Sequence, residues 1–151
     1  MYGESPYRGR STVLGDGTAI RTGDRILHLH LDNRALQRLA ADGGWSSWRL
    51  PALLAADLDV LADQIEAGRL GDVKALRGLT VLAGGALRVG FEVRSLPPSM
   101  SLTLLRYVAA LVIATYHPHG FEILDRGLPR LGEVWMSRKV LLERTRTKAR
   151  S

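Results

Sequence analysis

The four histidines of the chain occur as two pairs in which one residue separates the partners, namely His28 with His30 and His117 with His119. The first pair lies in the alternating stretch ILHLHLD, and a strand directs alternate side chains to the same side. His28, His30 and Asp32 therefore share one face, where two imidazoles and a carboxylate are suitable ligands for zinc, iron or nickel. A polar strand surface that faces solvent has the same pattern, so a metal site is one of two alternatives.

A second group of ionisable side chains occurs in the alternating stretch LRVGFEVR, which ends at Arg94. If this stretch is a strand, Arg88, Glu92 and Arg94 project to one side of it. Two guanidinium groups are natural partners for phosphate or carboxylate, and Glu92 with a histidine could act as acid and base. The alternative is a set of cross-strand ion pairs on an exposed sheet face, each worth about 0.2–1 kcal/mol.

Both stretches set their polar residues against an apolar row, which in the first stretch is Leu27, Leu29 and Leu31. If the two strands are neighbours, burial of both apolar rows places both polar sets on the other side of the sheet. We therefore predict one site on a shared face, in a concavity near the end of a buried helix. The candidate catalytic residues are His28, Glu92 and His117, and the candidate ligand-binding residues are His30, Arg88 and Arg94.

Local signals predict the elements that position these residues. Thr12–Leu14 and Thr18–Ile20 flank Gly15-Asp16-Gly17, a pattern typical of a tight turn. Apolar residues recur at steps of four, three and four from Leu54 to Ile65, which predicts a helix over residues 51–67. The stretch from Ala75 to Arg94 predicts a β-hairpin that turns at Gly84-Gly85.

The next helix, predicted over residues 101–116, is apolar nearly all round from Tyr107 onward and is expected to be the central buried helix. At 1.5 Å per residue about 15 residues of this helix measure roughly 22 Å, shorter than a bilayer core of about 30 Å, so we expect no membrane span. A strand over residues 133–136 and a helix capped by Ser137 complete the chain. These elements predict an α+β fold, a mainly antiparallel sheet packed by two main helices in a single domain.

Composition and charge limit the function classes. The chain has 151 residues, of which 46% are apolar and 24% charged, as in globular domains, and it contains no cysteine. Residues 138–151 hold six basic side chains against one acid, a balance of +5 out of the net +6. We expect a flexible segment at residues 1–11, a domain over residues 12–143 and a basic tail at residues 144–151. A solvated terminus explains the tail better than nucleic-acid binding does.

Known catalytic patterns do not account for the chain. The sequence lacks the phosphate-binding GxxxxGK[ST], the dinucleotide-binding GxGxxG and the GxSxG nucleophile elbow. The start MYGESPYRGR lacks the apolar core of a signal peptide, so we expect a cytoplasmic protein. An ordinary nucleotide-dependent enzyme is not expected, and the sequence leaves the question of a cofactor open.

The blocks DGTAIRTGDRILHLHLDN, VKALRGLTVLAGGALRVGFEVRSLPP, YHPHGF and GEVWMSRKVLL, in this order, resemble the YkoP-like domain family over roughly residues 12–143. The positions that carry the resemblance are Gly23, Asp24, His28, Asn33, Arg88, Gly90, Phe91, Glu92, His117, Pro118, Gly120, Trp135, Ser137 and Arg138. Related domains occur alone or joined to polysaccharide deacetylases. The resemblance thus implies an accessory or ligand-binding protein of cell-envelope polysaccharide metabolism, with an anionic sugar or a lipid-linked carbohydrate as partner.

The order of the predicted elements is also similar to that of GNAT-type acyltransferases. Those enzymes hold the cofactor pyrophosphate in a Gly-rich loop before the long helix, where this chain has RSLPPSMS without glycine. The alternative to an accessory protein is an enzyme, either a GNAT-like acyltransferase or a metal-dependent hydrolase that uses the face of His, Arg and Glu side chains.

Overall fold

The computed structural model describes residues 2–30, 49–80, 83–116, 121–122, 125 and 127–148. Its strands are β1 (Tyr2–Pro6), β2 (Thr12–Val13), β3 (Ala19–Ile20), β4 (Arg25–Leu29), β5 (Ala75–Thr80), β6 (Glu92–Ser95) and β7 (Gly132–Ser137). Its helices are α1 (Arg49–Glu66), α2 (Ala83–Arg88), α3 (Met100–Tyr116) and α4 (Arg138–Lys148). In this part of the chain no helix is both long and apolar enough to cross a membrane.

The main sheet has five strands in the order β1-β4-β5-β7-β6. Strands β4 and β5 run parallel, whereas the other three neighbouring pairs are antiparallel. Strands β2 and β3 form a separate antiparallel ribbon around the predicted turn. The α+β class and the mainly antiparallel sheet are therefore confirmed.

Strand β1 lies within the segment that we predicted to be flexible. Its five residues pair antiparallel with β4, from Tyr2 opposite Leu29 to Pro6 opposite Arg25. The Tyr2 hydroxyl also donates a hydrogen bond of 2.5 Å to Gln64 Oε1 on α1. The prediction differs from the structure because a short polar strand has little hydrophobic periodicity, while pairing with β4 satisfies its backbone groups.

One face of the sheet, here called the helix face, is buried under α1, α2 and α4. Leu27, Leu76 and Met136 of the sheet form one apolar cluster with α1 residues such as Leu58 and with residues of the other two helices. The predicted apolar stripe of α1 supplies the helical side of this core because its leucines and isoleucine recur on one side. The burial of Leu27 and the packing of Leu29 agree with the prediction, and Leu31 lies outside the described residues.

The opposite face, here called the ribbon face, is partly covered by the β2–β3 ribbon. Leu14 and Ile20 of the ribbon segment pack with Tyr7, Ile26 and Trp135 in a second buried cluster. Strand β4 consequently contains two consecutive residues that are fully buried, Ile26 and Leu27, because both of its faces are covered at that point.

The predicted hairpin between Ala75 and Arg94 is wrong. Strands β5 and β6 do not pair with each other, because β7 lies between them. The residues of the predicted turn belong to α2, which ends where Gly90 takes a φ of 95° and the Phe91 N–H donates to the Ala86 carbonyl at 3.0 Å. A glycine at this position is the usual end of a helix, because only glycine adopts positive φ without strain.

Helix α3 is not the central buried helix that we predicted. Ala110 and Ile113 are buried, but most of the large apolar side chains on the other side of the helix are exposed. The Arg106 guanidinium fastens α3 to the segment before β7 by donating to the carbonyls of Pro129 and Leu128, at 2.9 and 3.0 Å. The second long helix that packs on the helix face is therefore α4, which contributes the fully buried Leu141.

The first part of the predicted basic tail is the end of α4. Arg144 and Lys148 both donate to Asp59 of α1, at 2.8 and 2.6 Å, and Arg146 donates to Glu66 at 3.3 Å. These basic residues pair with the acidic side of α1, and residues 149–151 lie outside the described part of the chain.

Candidate functional site

The ribbon face carries a row of side chains that crosses the sheet in register. His28 of β4 lies opposite Arg77 of β5, Arg77 opposite Trp135 of β7, and Trp135 opposite Glu92 of β6. Residues opposite each other on neighbouring strands project to the same face. His28 and Glu92 therefore share a face as predicted, and Arg94 joins them by alternation along β6.

The predicted adjacency of these residues is wrong. Three strand spacings separate His28 from Glu92, which is about 14 Å at roughly 4.8 Å each. Arg88 lies on the exposed side of α2 and belongs to no strand. His117 and Asp32 lie outside the described residues. The residues of the predicted constellation that the structure describes thus lie on separated elements, and His28 and Glu92 are too far apart for direct contact.

Arg77 occupies the middle of the row, and the sequence analysis did not select it. Its guanidinium lies 5.8 Å from the Tyr7 ring centroid and 5.3 Å from that of Trp135, within cation–π range. It also donates to Glu133 Oε1 from both Nε and Nη2, at 2.7 and 2.5 Å. The sequence signal that could have identified Arg77 is that it is the single charged residue of the strand ALRGLT.

His28 is half-buried at one end of this row. Burial, followed by the positive charge of Arg77 and the neighbouring His30, lowers the pKa of His28 below its usual 6.5. The imidazole is therefore neutral at physiological pH. Within the described ranges no group of three His, Asp or Glu side chains is placed to hold a metal ion, and Asp32 falls outside those ranges.

Glu92 and Arg94 fasten the β2–β3 ribbon to the edge strand β6. Glu92 Oε2 accepts the backbone N–H of Gly15 at 2.7 Å, and Glu92 Oε1 accepts Arg94 Nε at 2.6 Å. Arg94 Nη2 donates to the Val13 carbonyl at 2.5 Å, and its Nη1 donates to Thr12 Oγ1. All three nitrogens of the guanidinium are engaged, so this arginine has a structural role.

Asp16 attaches the turn of the ribbon to the start of α4. Its carboxylate accepts the Thr18 N–H at 3.0 Å, the Thr18 hydroxyl at 2.8 Å and the Ser137 hydroxyl at 2.6 Å. Ser137 Oγ in turn accepts the Val140 N–H at 3.0 Å, the N-cap bond that the sequence predicts. Burial raises the pKa of Asp16, but the hydrogen bonds from Ser137 and Thr18 outweigh it and hold this pKa below 3.8.

A cleft of about 280 Å³ opens between the turn of the ribbon, the start of β6 and the junction of β7 with α4. Its apolar lining is Leu14, Phe91, Trp135, Met136 and Val140, and its other lining residues are Gly15, Asp16, Gly90, Glu92 and Ser137. Of the predicted site residues that the structure describes, Glu92 alone lines this cleft.

Two residues that line the cleft, Glu92 and Trp135, have hydrogen-bonding groups without a full set of partners among the described residues. A carboxylate can accept about four hydrogen bonds, and Glu92 accepts two from Gly15 and Arg94. Trp135 is buried, and its Nε1 has no hydrogen-bond partner among the described residues. An indole N–H is a donor only, whereas the carboxylates of Asp16 and Glu92 are acceptors.

Both carboxylates of the cleft are acceptors at neutral pH. Burial raises the pKa of Glu92, but the Gly15 N–H and Arg94 outweigh this effect and hold the pKa below 4.5. A general acid or base works best with a pKa near the working pH, which neither carboxylate has. Neither carboxylate is therefore tuned for proton transfer at neutral pH.

Comparison with known proteins identifies the family of this chain. A family model described as the YkoP domain matches residues 2–145, nearly the whole chain. The chain therefore belongs to the YkoP domain family. No curated protein and no solved structure matches it. Five of the positions that carry the family resemblance line the cleft, namely Gly90, Phe91, Glu92, Trp135 and Ser137.

Proposed function

We propose that this member of the YkoP domain family is a ligand-binding accessory domain whose site is the cleft beside the β2–β3 turn. The observation that carries the proposal is that buried Trp135, whose Nε1 has no hydrogen-bond partner among the described residues, lines a cleft that also holds ionised Asp16 and Glu92. A buried polar group without a partner costs about 1–3 kcal/mol, which a ligand that accepts its hydrogen bond recovers.

A hydroxyl group is the chemistry that satisfies this cleft, because it accepts one hydrogen bond while it donates another. It can accept from Trp135 Nε1 and donate to Glu92, and the apolar lining suits the carbon skeleton that bears it. Small-molecule sites usually measure about 300–1,000 Å³, so a cleft of about 280 Å³ suits one ring-sized group. A sugar residue has both properties.

The arginines near the cleft favour a neutral sugar over the anionic partner that the sequence analysis expected. Arg94 already binds Glu92, Thr12 and Val13, and Arg77 already binds Glu133. An anionic group would have to displace these bonds. The connection with cell-envelope polysaccharide metabolism remains part of the proposal and rests on the family resemblance alone.

Titration followed by ¹⁵N-resolved NMR tests the proposal. We would add chitooligosaccharides, glucosamine oligomers, uronic acids and a lipid-linked precursor to the whole chain. A neutral oligosaccharide should shift the Trp135 indole N–H, identified by its loss in Trp135→Phe. No shift of this resonance with any sugar would refute the proposal, and a preference for the uronic acids would refute the neutral class.

A matched pair of variants tests the role of Glu92. Glu92→Gln should weaken sugar binding about 10-fold or more, since a hydrogen bond to a charged group contributes about 1.5–3 kcal/mol. Glu133→Gln serves as the control, because Glu133 lies on the same face and pairs with Arg77 but does not line the cleft. Equal losses in the two variants would contradict the assignment.

The enzyme alternatives are tested in the same samples. A ligand that binds only the native state raises the melting temperature. Stabilisation by acetyl-CoA would support a GNAT-like acyltransferase, and stabilisation by zinc that is lost in His28→Ala would support a metal-dependent hydrolase. Either result would replace the sugar-binding proposal if sugars produce no shift.

A further inference from the structure

Helix α3 exposes one continuous apolar side, here called the outer face, formed by Met100, Leu104, Tyr107, Val108 and Leu111. Leu104 and Leu111 keep 66% and 69% of their surface exposed. At 100° per residue these five side chains fall within about one quarter to one third of the helix circumference. Ala110 and Ile113, on the opposite side, are buried.

The outer face lies at the upper end of the range of apolar patches on ordinary monomers. Taking about 200 Å² for a fully exposed large side chain, its five residues expose of the order of 600 Å². The largest apolar patch of a typical monomer is about 300–600 Å² and often marks an interaction site. Two such faces in full contact would remove at most about 1,200 Å² from water, against the roughly 1,000 Å² expected of a biological interface.

The spacing of the outer face matches a helix–helix seam. Met100, Leu104, Tyr107 and Leu111 follow one another at steps of four, three and four. This is the alternation of a and d positions in a heptad, which packs knobs of one helix into holes of another. A second helix with the same spacing is therefore a suitable occupant.

The outer face also carries no charge. The only charged residue of α3 is Arg106, and its guanidinium is engaged with the carbonyls of Leu128 and Pro129. An uncharged surface does not repel a copy of itself, as an interface with two-fold symmetry requires.

We propose that two copies of this chain associate through the outer faces of their α3 helices. The interface is isologous, so each copy contributes the same four seam residues, with Leu104 and Tyr107 equally near the middle. This inference is independent of the proposed sugar site, because none of the residues lining the cleft belongs to α3.

Sedimentation of the full chain, from micromolar to submillimolar concentration, tests the proposal. The wild type should be a dimer, and Leu104→Glu and Leu111→Glu should each weaken association at least about 100-fold, since the symmetry buries every substitution twice. Leu53→Glu is the matched control, because Leu53 is an exposed leucine of α1. A monomeric wild type, or a dimer that both α3 variants preserve, would overturn the proposal.

Cross-linking gives a second readout that does not depend on a destabilising charge. The chain has no cysteine, so Tyr107→Cys introduces a unique thiol near the proposed two-fold axis. Oxidation should yield a covalent dimer, because a disulfide needs Cα atoms about 4.4–6.8 Å apart, whereas Leu53→Cys should stay monomeric on a denaturing gel. If the wild type is monomeric and floats with phosphatidylglycerol vesicles, lipid occupies the outer face and the dimer proposal fails.

Discussion

Glu92→Gln should loosen the attachment of the β2–β3 ribbon to the sheet without changing the shape of the side chain. Glu92 accepts the Gly15 N–H at 2.7 Å and Arg94 Nε at 2.6 Å, one on each carboxylate oxygen. A glutamine presents an amide NH₂ in place of one oxygen, so one of these donors meets another donor. The substitution removes one charge-assisted bond and leaves a polar group without a partner.

The expected loss in the free energy of unfolding is about 1–2 kcal/mol. A hydrogen bond to a charged group contributes about 1.5–3 kcal/mol when it is shielded from water. The side chains of Glu92 and Arg94 are 35% and 27% exposed, so solvent screening reduces that value. For a chain of this size the loss corresponds to a melting temperature lower by about 2–8 °C.

Urea denaturation across a pH series measures the loss and identifies its origin. The folded-state pKa of Glu92 is below 4.5, its value in an unfolded chain, so the stabilisation is present above that value. It is lost as the pH falls through the folded pKa, where Glu92 itself becomes protonated. The difference between wild type and variant should therefore be constant near neutral pH and should shrink below about pH 4.5.

Two comparisons can refute this reasoning. Glu143→Gln, at an exposed position of α4, should change the free energy of unfolding little at any pH. In a double-mutant cycle, Arg94→Met and Glu92→Gln should be less than additive because the two residues share a bond. A Glu92→Gln difference that persists unchanged at about pH 3, or strict additivity with Arg94→Met, would show that the charged pair is not the cause.

Two further predictions concern the helices. Asp59→Asn should lower the free energy of unfolding by about 1 kcal/mol, because Asp59 accepts hydrogen bonds from Arg144 and Lys148 of α4. The loss, measured by urea denaturation, should diminish in molar salt. The control variant Asp57→Asn should show no such loss. Gly90→Ala should cost about 1–2 kcal/mol because of its φ of 95°, whereas Gly84→Ala inside α2 should be neutral or stabilising; equal melting temperatures for the two variants would contradict this account.

Elements with a strong local period could be predicted from the sequence. The stripe from Leu54 to Ile65 and the alternation around His28 depend only on neighbours in the chain, and both elements form. The hairpin prediction was wrong because Gly84-Gly85 suits a turn as well as a short helix that ends at Gly90. The choice depends on β7, which takes the position beside β5 and comes some fifty residues later in the chain.

The candidate site was predictable only in part. Alternation correctly placed His28, Glu92 and Arg94 on one face, because side-chain direction is a local property of a strand. The order of the strands is not local, and two strands separate β4 from β6. The cleft was missed since Asp16 and Ser137 are 121 positions apart, and neither is distinctive in its own stretch.

The distribution of bonds on the ribbon face favours the cleft over the row of charged residues as the functional surface. The guanidinium groups of Arg77 and Arg94 already bind carboxylates, carbonyls or hydroxyls of the fold, so a ligand there must first break bonds that hold the ribbon in place. Among the residues that line the cleft, by contrast, Glu92 accepts two hydrogen bonds and Trp135 Nε1 has no partner in the described part of the chain. In the proposed site, a ligand with a hydroxyl group would add hydrogen bonds to these two residues. The contacts that engage Glu92 and Arg94 also hold the Gly15 wall of the cleft in place, so under this proposal the two charged residues would fix the shape of the site.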